Sequence, residues 1–315
     1  MSAPATAAGT SPGFEHEALL YRDDETLLAG VLPFVRDGLA RGEQVVVAEP
    51  PGRLELVRDA LGADGAPVRW LDVAEVGANP ARLLALLSTA LEEATAAGRR
   101  LRAVGEPAWP GRREAEFAEC RLHELLMGTA FDGAPAWLLC PYDQTHLPRA
   151  VRRAALQSHP VVSTPEQRRP SPAYSREAAA EAFAAPLHQP TEGVLRGVFG
   201  SGDLRATRRT VASFARSCGL EEDRVRALEL AAAELVGNSL RHGGGSGSLA
   251  LWETPDAVVV QVDDAGEVRD PLVGRRTPDP GRPGGQGLYL VNQLCDLVQL
   301  RSSPRGTTVR LTTWR

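Results

Sequence analysis

Glu234, Asn238 and His242 stand four residues apart in the segment EEDRVRALELAAAELVGNSLRHG. At that spacing three side chains share one stripe of a helix, while Val225, Leu228, Ala232, Leu235 and Val236 make a separate apolar stripe. A carboxylate with a carboxamide one turn later suits metal-assisted phosphoryl chemistry. Asn238 can offer an oxygen to Mg²⁺, and Glu234 can orient or deprotonate a nucleophile. The same spacing also describes a solvated helix face that ends at Gly243-Gly244-Gly245.

Two later segments bear on the choice. The strand-like run AVVVQVDDAG ends in Asp264, with Gly266 two residues on. There a carboxylate can accept a hydrogen bond from an exocyclic amine while the glycine lets a flat ring approach; a plain β-turn is the alternative. The run RPGGQGLYLV sets Gly284, Gly285 and Gly287 at the mouth of an apolar helix. Unpaired N–H groups at such a helix start make an anion site, although a loose helix terminus reads the same way. Between them lies RDPLVGRRTPDPGRP, where Arg275, Arg276 and Arg282 are candidate phosphate contacts or members of a solvated charged loop.

Composition narrows the chemistry. The 315 residues carry 35 cationic side chains, and every one is Arg. Without Lys there is neither a Walker A phosphate loop nor a Schiff-base amine. The net charge of -5, with arginines interspersed among acids, does not point to nucleic acid. No run approaches 18 uninterrupted apolar residues and no secretory leader opens the chain, so a cytoplasmic protein without a membrane partner is expected. Cys120, Cys140, Cys218 and Cys295 lack the C-x-x-C spacing, and His16, His123, His146 and His159 are too far apart in sequence to suggest a metal cluster.

The elements that must position these residues fall into two halves. Strand-length runs HEALLY, QVVVAEP, VRWLDV, LRAVGE and AWLLC alternate with helical patterns, which predicts a doubly wound α/β parallel sheet over 14–160. Residues 1–13 read as a disordered tail, and the Pro-, Ser- and Ala-rich stretch 161–192 as a linker. From 193 to 315 two successive helices precede paired strands, the order of an α+β sandwich with helices on one face. In the first half, Glu106 and the turn Cys140-Pro141-Tyr142-Asp143 follow strands. In an open parallel sheet, ligands bind beyond such strand ends, so Glu106, Cys140, Tyr142 and Asp143 are sensory-pocket candidates. A helix-capping Glu106 and a buried thiol at Cys140 are the alternatives.

The order ELVGNSLRHG, strand-DDAG, Arg-rich loop, GGQGL and a final GTT resembles the GHKL (Bergerat) ATPase family, which includes histidine kinases and anti-sigma-factor protein kinases. The resemblance implies ATP and Mg²⁺ as cofactors, with Glu234 as catalytic base, Asn238 as Mg²⁺ ligand and Asp264 reading the adenine amino group. It also implies Gly266 beneath the base, Gly285 and Gly287 around the phosphates, Leu288 among the cofactor-binding residues, and Thr307 at the adenine end. His242 joins the nucleotide contacts and marks the anti-sigma branch. Val268 departs from the family, standing where a second glycine is usual. His123-Glu124 resembles a phosphoacceptor box but lies inside the α/β half, which argues against a two-component kinase. The features around Glu106, Cys140 and His159-Pro160 resemble the MEDS sensory domain, similar to a RecA-like sheet without its Walker A loop. Together the two halves resemble RsbA-type anti-sigma regulatory proteins. That likeness implies a serine/threonine kinase-type domain, an alternative sigma factor and an anti-anti-sigma (STAS) protein as partners, a small-molecule signal, and a homodimer. A non-catalytic nucleotide switch remains the alternative.

Overall fold

The computed structural model describes residues 13–278, 281 and 284–315. Residues 1–12 of the expected tail, and Arg282, lie outside the described residues. The first half runs β1 (Glu15–Tyr21), α1 (Asp24–Ala40), β2 (Gln44–Glu49), α2 (Pro51–Leu61), β3 (Arg69–Asp72), α3 (Val73–Val76), α4 (Leu83–Ala96), β4 (Leu101–Gly105), α5 (Glu114–Ala130), β5 (Ala136–Asp143), α6 (Arg149–Ser158), β6 (Val161–Thr164) and β7 (Gln167–Pro170). Its seven strands lie in the order β3-β2-β4-β5-β1-β6-β7, parallel except for the antiparallel pair β6 and β7.

Alternation along the strands explains why both faces are covered. Leu19, Val45, Val47, Val104 and Leu139 pack against Leu27 and Val31 of α1 and Val57 of α2. Their neighbours Val46, Ala103 and Leu138 point the other way, onto Leu84 of α4 and Leu122 and Leu126 of α5. A strand buried on both faces needs apolar residues at every position, which is why QVVVAE reads as a continuous run. Helix α1 starts where Asp23 and Thr26 form a capping box, the Thr26 N–H donating to Asp23 Oδ1 at 2.9 Å.

The sheet continues past the expected boundary at residue 160. β6 pairs with β1 through Glu17↔Val161 and Ala18↔Val162, so residues 161–170 are strand and turn, not linker. A four-residue strand with two valines, followed by the exposed QRRP of β7, carries too little apolar signal to show through the surrounding Pro and Ser.

Helix α7 (Ala178–Ala184) leads into the second half: β8 (Leu195–Phe199), α8 (Leu204–Ser217), α9 (Glu222–His242), β9 (Gly247–Thr254), β10 (Ala257–Asp264), α10 (Gln286–Leu294), β11 (Leu297–Ser303) and β12 (Gly306–Trp314). Its sheet is antiparallel in the order β11-β12-β10-β9-β8. The apolar stripe of α9, with Val225, Leu228, Leu235 and Val236, packs on Val258, Val260 and Leu311 of that sheet. Among the described residues no helix is long and apolar enough to cross a membrane.

The two halves share one apolar core, in which Leu122, Leu126 and Phe183 join Val211, Leu228 and Leu300. Polar contacts fasten the same seam. Arg82 caps the C-terminal end of α10, donating to the carbonyls of Asn292 at 2.7 Å and of Gln293 and Cys295 at 3.0 Å. Buried Asn79 also donates to the Asn292 carbonyl, at 3.1 Å.

Candidate functional site

A cavity of about 650 Å³ opens between α9, the C-terminal end of β10, the start of β12 and the N-terminus of α10. It is lined by Glu234, Asn238, His242, Asp264, Gly266, Gly285, Gly287, Leu288 and Thr307, residues on four elements or on the loops that adjoin them. Each takes its place for a local reason. The helical period turns Glu234 and Asn238 toward the cavity while Leu228 and Val236 face the core. Asp264 is the last residue of β10, fixed between β9 and β12 through Asp264↔Gly247 and Asp264↔Thr307.

The Asp264 carboxylate is held from two sides. Ser239 Oγ donates to Oδ2 at 2.6 Å, and the Gly266 N–H donates to Oδ1 at 2.8 Å. Thr307 Oγ1 donates to the Gly266 carbonyl at 2.8 Å and lies 2.7 Å from Ser302 Oγ, which accepts from the Val268 N–H at 2.8 Å. One hydrogen-bonded chain therefore shapes this end of the cavity. At the other end, Gly285 caps α10 with φ 77°, a left-handed conformation that glycine adopts without strain. A Cβ on Gly287 would lie 2.8 Å from Glu234 Oε2, so a larger residue there would displace that carboxylate from its present position. The first amides of α10 thus border open space, the usual setting of a helix-start anion site.

The arginines of 269–283 divide differently from expectation. Arg275 is buried away from the cavity, where its Nη2 donates to Glu119 Oε2 of α5 at 3.0 Å; Arg301 donates to the other oxygen of the same carboxylate at 2.5 Å. Burial alone would raise the Glu119 carboxyl, but Arg301 and Arg275 outweigh it and hold the group below its ordinary value. Arg276 donates to the Ala130 carbonyl at 3.3 Å, again in the first half. Arg275 thus meets a buried carboxylate at the domain seam, and the exposed Arg276 meets a carbonyl at the end of the same helix, α5. The arginine lining the cavity, among the described residues, is Arg241, whose Nη2 donates to Asn238 Oδ1 at 2.9 Å. It lies one turn beyond Asn238 on the same helix, and the four-residue spacing that drew attention to His242 passes it by.

The four sensory-pocket candidates separate into two clusters, because β5 alternates. Asp143 joins Glu106 at the carboxyl ends of the strands, where Arg53 bridges them, with Nη1 2.5 Å from Glu106 Oε1 and Nη2 2.8 Å from Asp143 Oδ2. Tyr21 donates to Glu106 at 2.9 Å, and Glu49 stands beside it with neither oxygen meeting a donor. Burial and the Glu106 carboxyl push Glu49 well above the usual range; burial also raises Glu106, against Arg53 and Tyr21. Burial works against Asp143 as well, but His146 and the backbone amides of Thr145 and His146 keep it low.

Cys140 and Tyr142 point to the opposite face. Cys140 Sγ is 3.5 Å from His16 Nε2 and 3.6 Å from Glu124 Oε2, and the Tyr142 ring meets the His159 ring edge-on at 5.5 Å. Burial pushes the Cys140 thiol well up and the His16 imidazole down to about 4. Histidines with no common spacing in sequence are thus brought together, contrary to the expectation of no cluster. β1, α5, β5 and the α6–β6 junction each supply one residue.

An α/β layer carrying buried polar clusters, joined to an antiparallel sheet with a glycine-lined cavity under one helical layer, is the architecture of a two-domain protein whose second domain is built like a histidine-kinase ATPase. The family comparisons agree. Residues 15–160 match the MEDS model, the methanogen/methylotroph DcmR sensory domain, and residues 201–313 match the histidine kinase-like ATPase domain. The two domains in this order bear out the resemblance to RsbA-type regulators. Among solved structures, the RsbU and RsbW domains of a Mycobacterium tuberculosis protein are similar at 19% identity and a TM-score of 0.31, over 39% of this chain. The match spans 33% of that protein. No curated protein matches the chain.

Proposed function

We propose that the second domain binds ATP·Mg²⁺ and acts as a serine/threonine protein kinase-type anti-sigma module, governed by a small-molecule signal received in the MEDS domain. The observation that carries this reading is the gathering of Glu234, Asn238, Asp264, Gly266, Gly285 and Gly287 around one cavity of about 650 Å³, within the range of small-molecule sites. Asp264, already oriented by Ser239 and Gly266, accepts from the adenine amino group. The amides of α10 and Arg241 would receive the phosphates, and Asn238 Oδ1, freed from its bond to Arg241, would hold the metal. Bound Mg²⁺ supplies charge neutralisation at the phosphates. Glu234 accepts the proton of the attacking hydroxyl, so the protein contributes position and electrostatics more than covalent chemistry. The partners would be an alternative sigma factor, which the domain sequesters, and a STAS-type anti-anti-sigma protein, which it phosphorylates.

The seam between domains supports the regulatory half of the proposal. Glu119 of α5 grips Arg275, which lies in the segment leading to α10, and Arg82 caps the far end of α10. A shift of α5 therefore bears directly on one wall of the nucleotide cavity. A second reading, a nucleotide switch without phosphotransfer, is favoured by the engagement of Arg275 away from the cavity and by Val268 in place of a glycine.

Calorimetric titration with Mg·ATP, followed by incubation with γ-labelled ATP and candidate STAS proteins, tests both readings. Label transfer that disappears in Glu234→Ala supports the kinase, and binding without transfer supports the switch. Absence of binding in the wild-type chain, or binding unaffected by both Asp264→Asn and Asn238→Ala, removes both.

A further inference from the structure

We propose that the buried cluster of His16, Glu124, Cys140 and His159 in the MEDS domain is a binding site for a divalent transition-metal ion, with Zn²⁺ as its natural occupant. The four ligand atoms lie within 4.8 Å of one another and all four residues are buried. Zinc bonds of ~2.0–2.1 Å to nitrogen or oxygen and ~2.3 Å to sulfur imply tetrahedral ligand-to-ligand edges of ~3.3 Å and ~3.5–3.6 Å respectively. His159 Nε2 to Glu124 Oε2 is 3.3 Å, Cys140 Sγ to His16 Nε2 is 3.5 Å, and Cys140 Sγ to Glu124 Oε2 is 3.6 Å. His16 Nε2 and Glu124 Oε2 are closer, at 2.9 Å, as a hydrogen bond that ligation would replace.

Two further features point inward at a ligand. His159 Nε2 and Glu124 Oε1 are buried without hydrogen-bond partners, although such atoms are normally satisfied. His159 Nδ1 lies 2.8 Å from the Ala155 carbonyl, so it carries the ring proton and leaves the Nε2 lone pair facing the cluster. Charge also balances. As the metal–sulfur bond forms, the Cys140 thiol proton leaves to solvent; one thiolate and one carboxylate then neutralise the dication, and two neutral imidazoles complete the set. A neutral assembly is the one a buried site tolerates. The mixture of thiolate, imidazole and carboxylate suits zinc better than Ca²⁺ or Mg²⁺, which take oxygen donors. The site would pin α5 to β1, β5 and the α6–β6 junction.

Cobalt titration of the full-length, chelator-treated protein tests the site. One equivalent of Co²⁺ is expected to give the visible bands of tetrahedral cobalt together with thiolate-to-cobalt charge transfer, both lost on adding Zn²⁺. The charge-transfer band should vanish in Cys140→Ser and persist in Cys120→Ser, and His159→Ala should weaken binding roughly tenfold or more. Should Cys140→Ser fail to fold, the triple variant Cys120→Ser, Cys218→Ser, Cys295→Ser keeps Cys140 as the sole thiol and must retain the band. Wild-type protein that takes up no stoichiometric metal, or a band that survives Cys140→Ser or disappears from the triple variant, overturns the proposal.

Discussion

The two domains handle polar groups in opposite ways. Around the ATPase cavity, Glu234, Asn238 and His242 border open volume on an exposed helix edge, and nearby glycines keep side chains out. In the MEDS domain, Glu49, Glu106, Glu124, His16 and His159 are almost wholly excluded from water, and the cavity that reaches Glu106, Glu124 and Cys140 measures about 40 Å³. The first arrangement leaves room for a large anionic ligand. The second leaves room there for a water or an ion, and burial pushes the Glu49 and Glu106 carboxyls up and the His16 imidazole down to about 4. One domain keeps its polar groups around an open cavity, and the other packs them out of water.

The seam that joins these regions should show the largest effect. Glu119→Ala leaves Arg275 and Arg301 buried without a counter-charge, and urea unfolding should register a loss of about 3–5 kcal/mol. Because the folded Glu119 pKa is depressed, its contribution is fully present above the unfolded carboxyl pKa of about 4.3 and is lost as pH falls through the lower folded value. A loss in Glu119→Ala that did not shrink in acid would break the link between this carboxylate and the seam.

Next in size, Asp264→Asn should weaken ATP binding by about 1.5–3 kcal/mol, the range of a hydrogen bond to a charged group. Calorimetry reads the change, and an unaltered affinity would place adenine elsewhere. Glu49→Gln tests the opposite region. Its folded pKa is raised, so the wild type loses stability as pH rises from the unfolded value toward the folded one. The variant should therefore gain on the order of 1 kcal/mol at pH 8 and little at pH 4; melting temperatures at the two pH values decide. Arg241→Ala should have the smallest effect, about 0.5–1 kcal/mol, because this arginine is exposed and screened. It should reduce affinity for ATP more than for ADP, and an equal loss for both would move Arg241 away from the terminal phosphate.

How much was legible follows from sequence distance. Glu234, Asn238, Asp264, Gly285 and Gly287 stood out because each sits in a short motif whose local structure, a helix stripe, a strand end or a helix start, already aims it. The alternation of strands and helices likewise declared both fold classes. Arg241 was overlooked because it falls off the four-residue rhythm, and β6 because its apolar run is too short. Arg275 was misplaced because its partner, Glu119, is 156 positions away.

The amino-acid order alone determined the element types, the glycines that leave the ATPase cavity open, and the exclusion of lysine chemistry; these depend on backbone period and side-chain identity within a few residues. Tertiary structure decided which charges meet. His16 and Cys140 are separated by 124 positions yet become neighbours because β1 and β5 pair in parallel with Ala18 beside Cys140. Glu124 and His159 reach them from elements packed on the same face. No local pattern encodes that meeting, since it depends on sheet register and on the absence of water between groups that would otherwise be solvated apart.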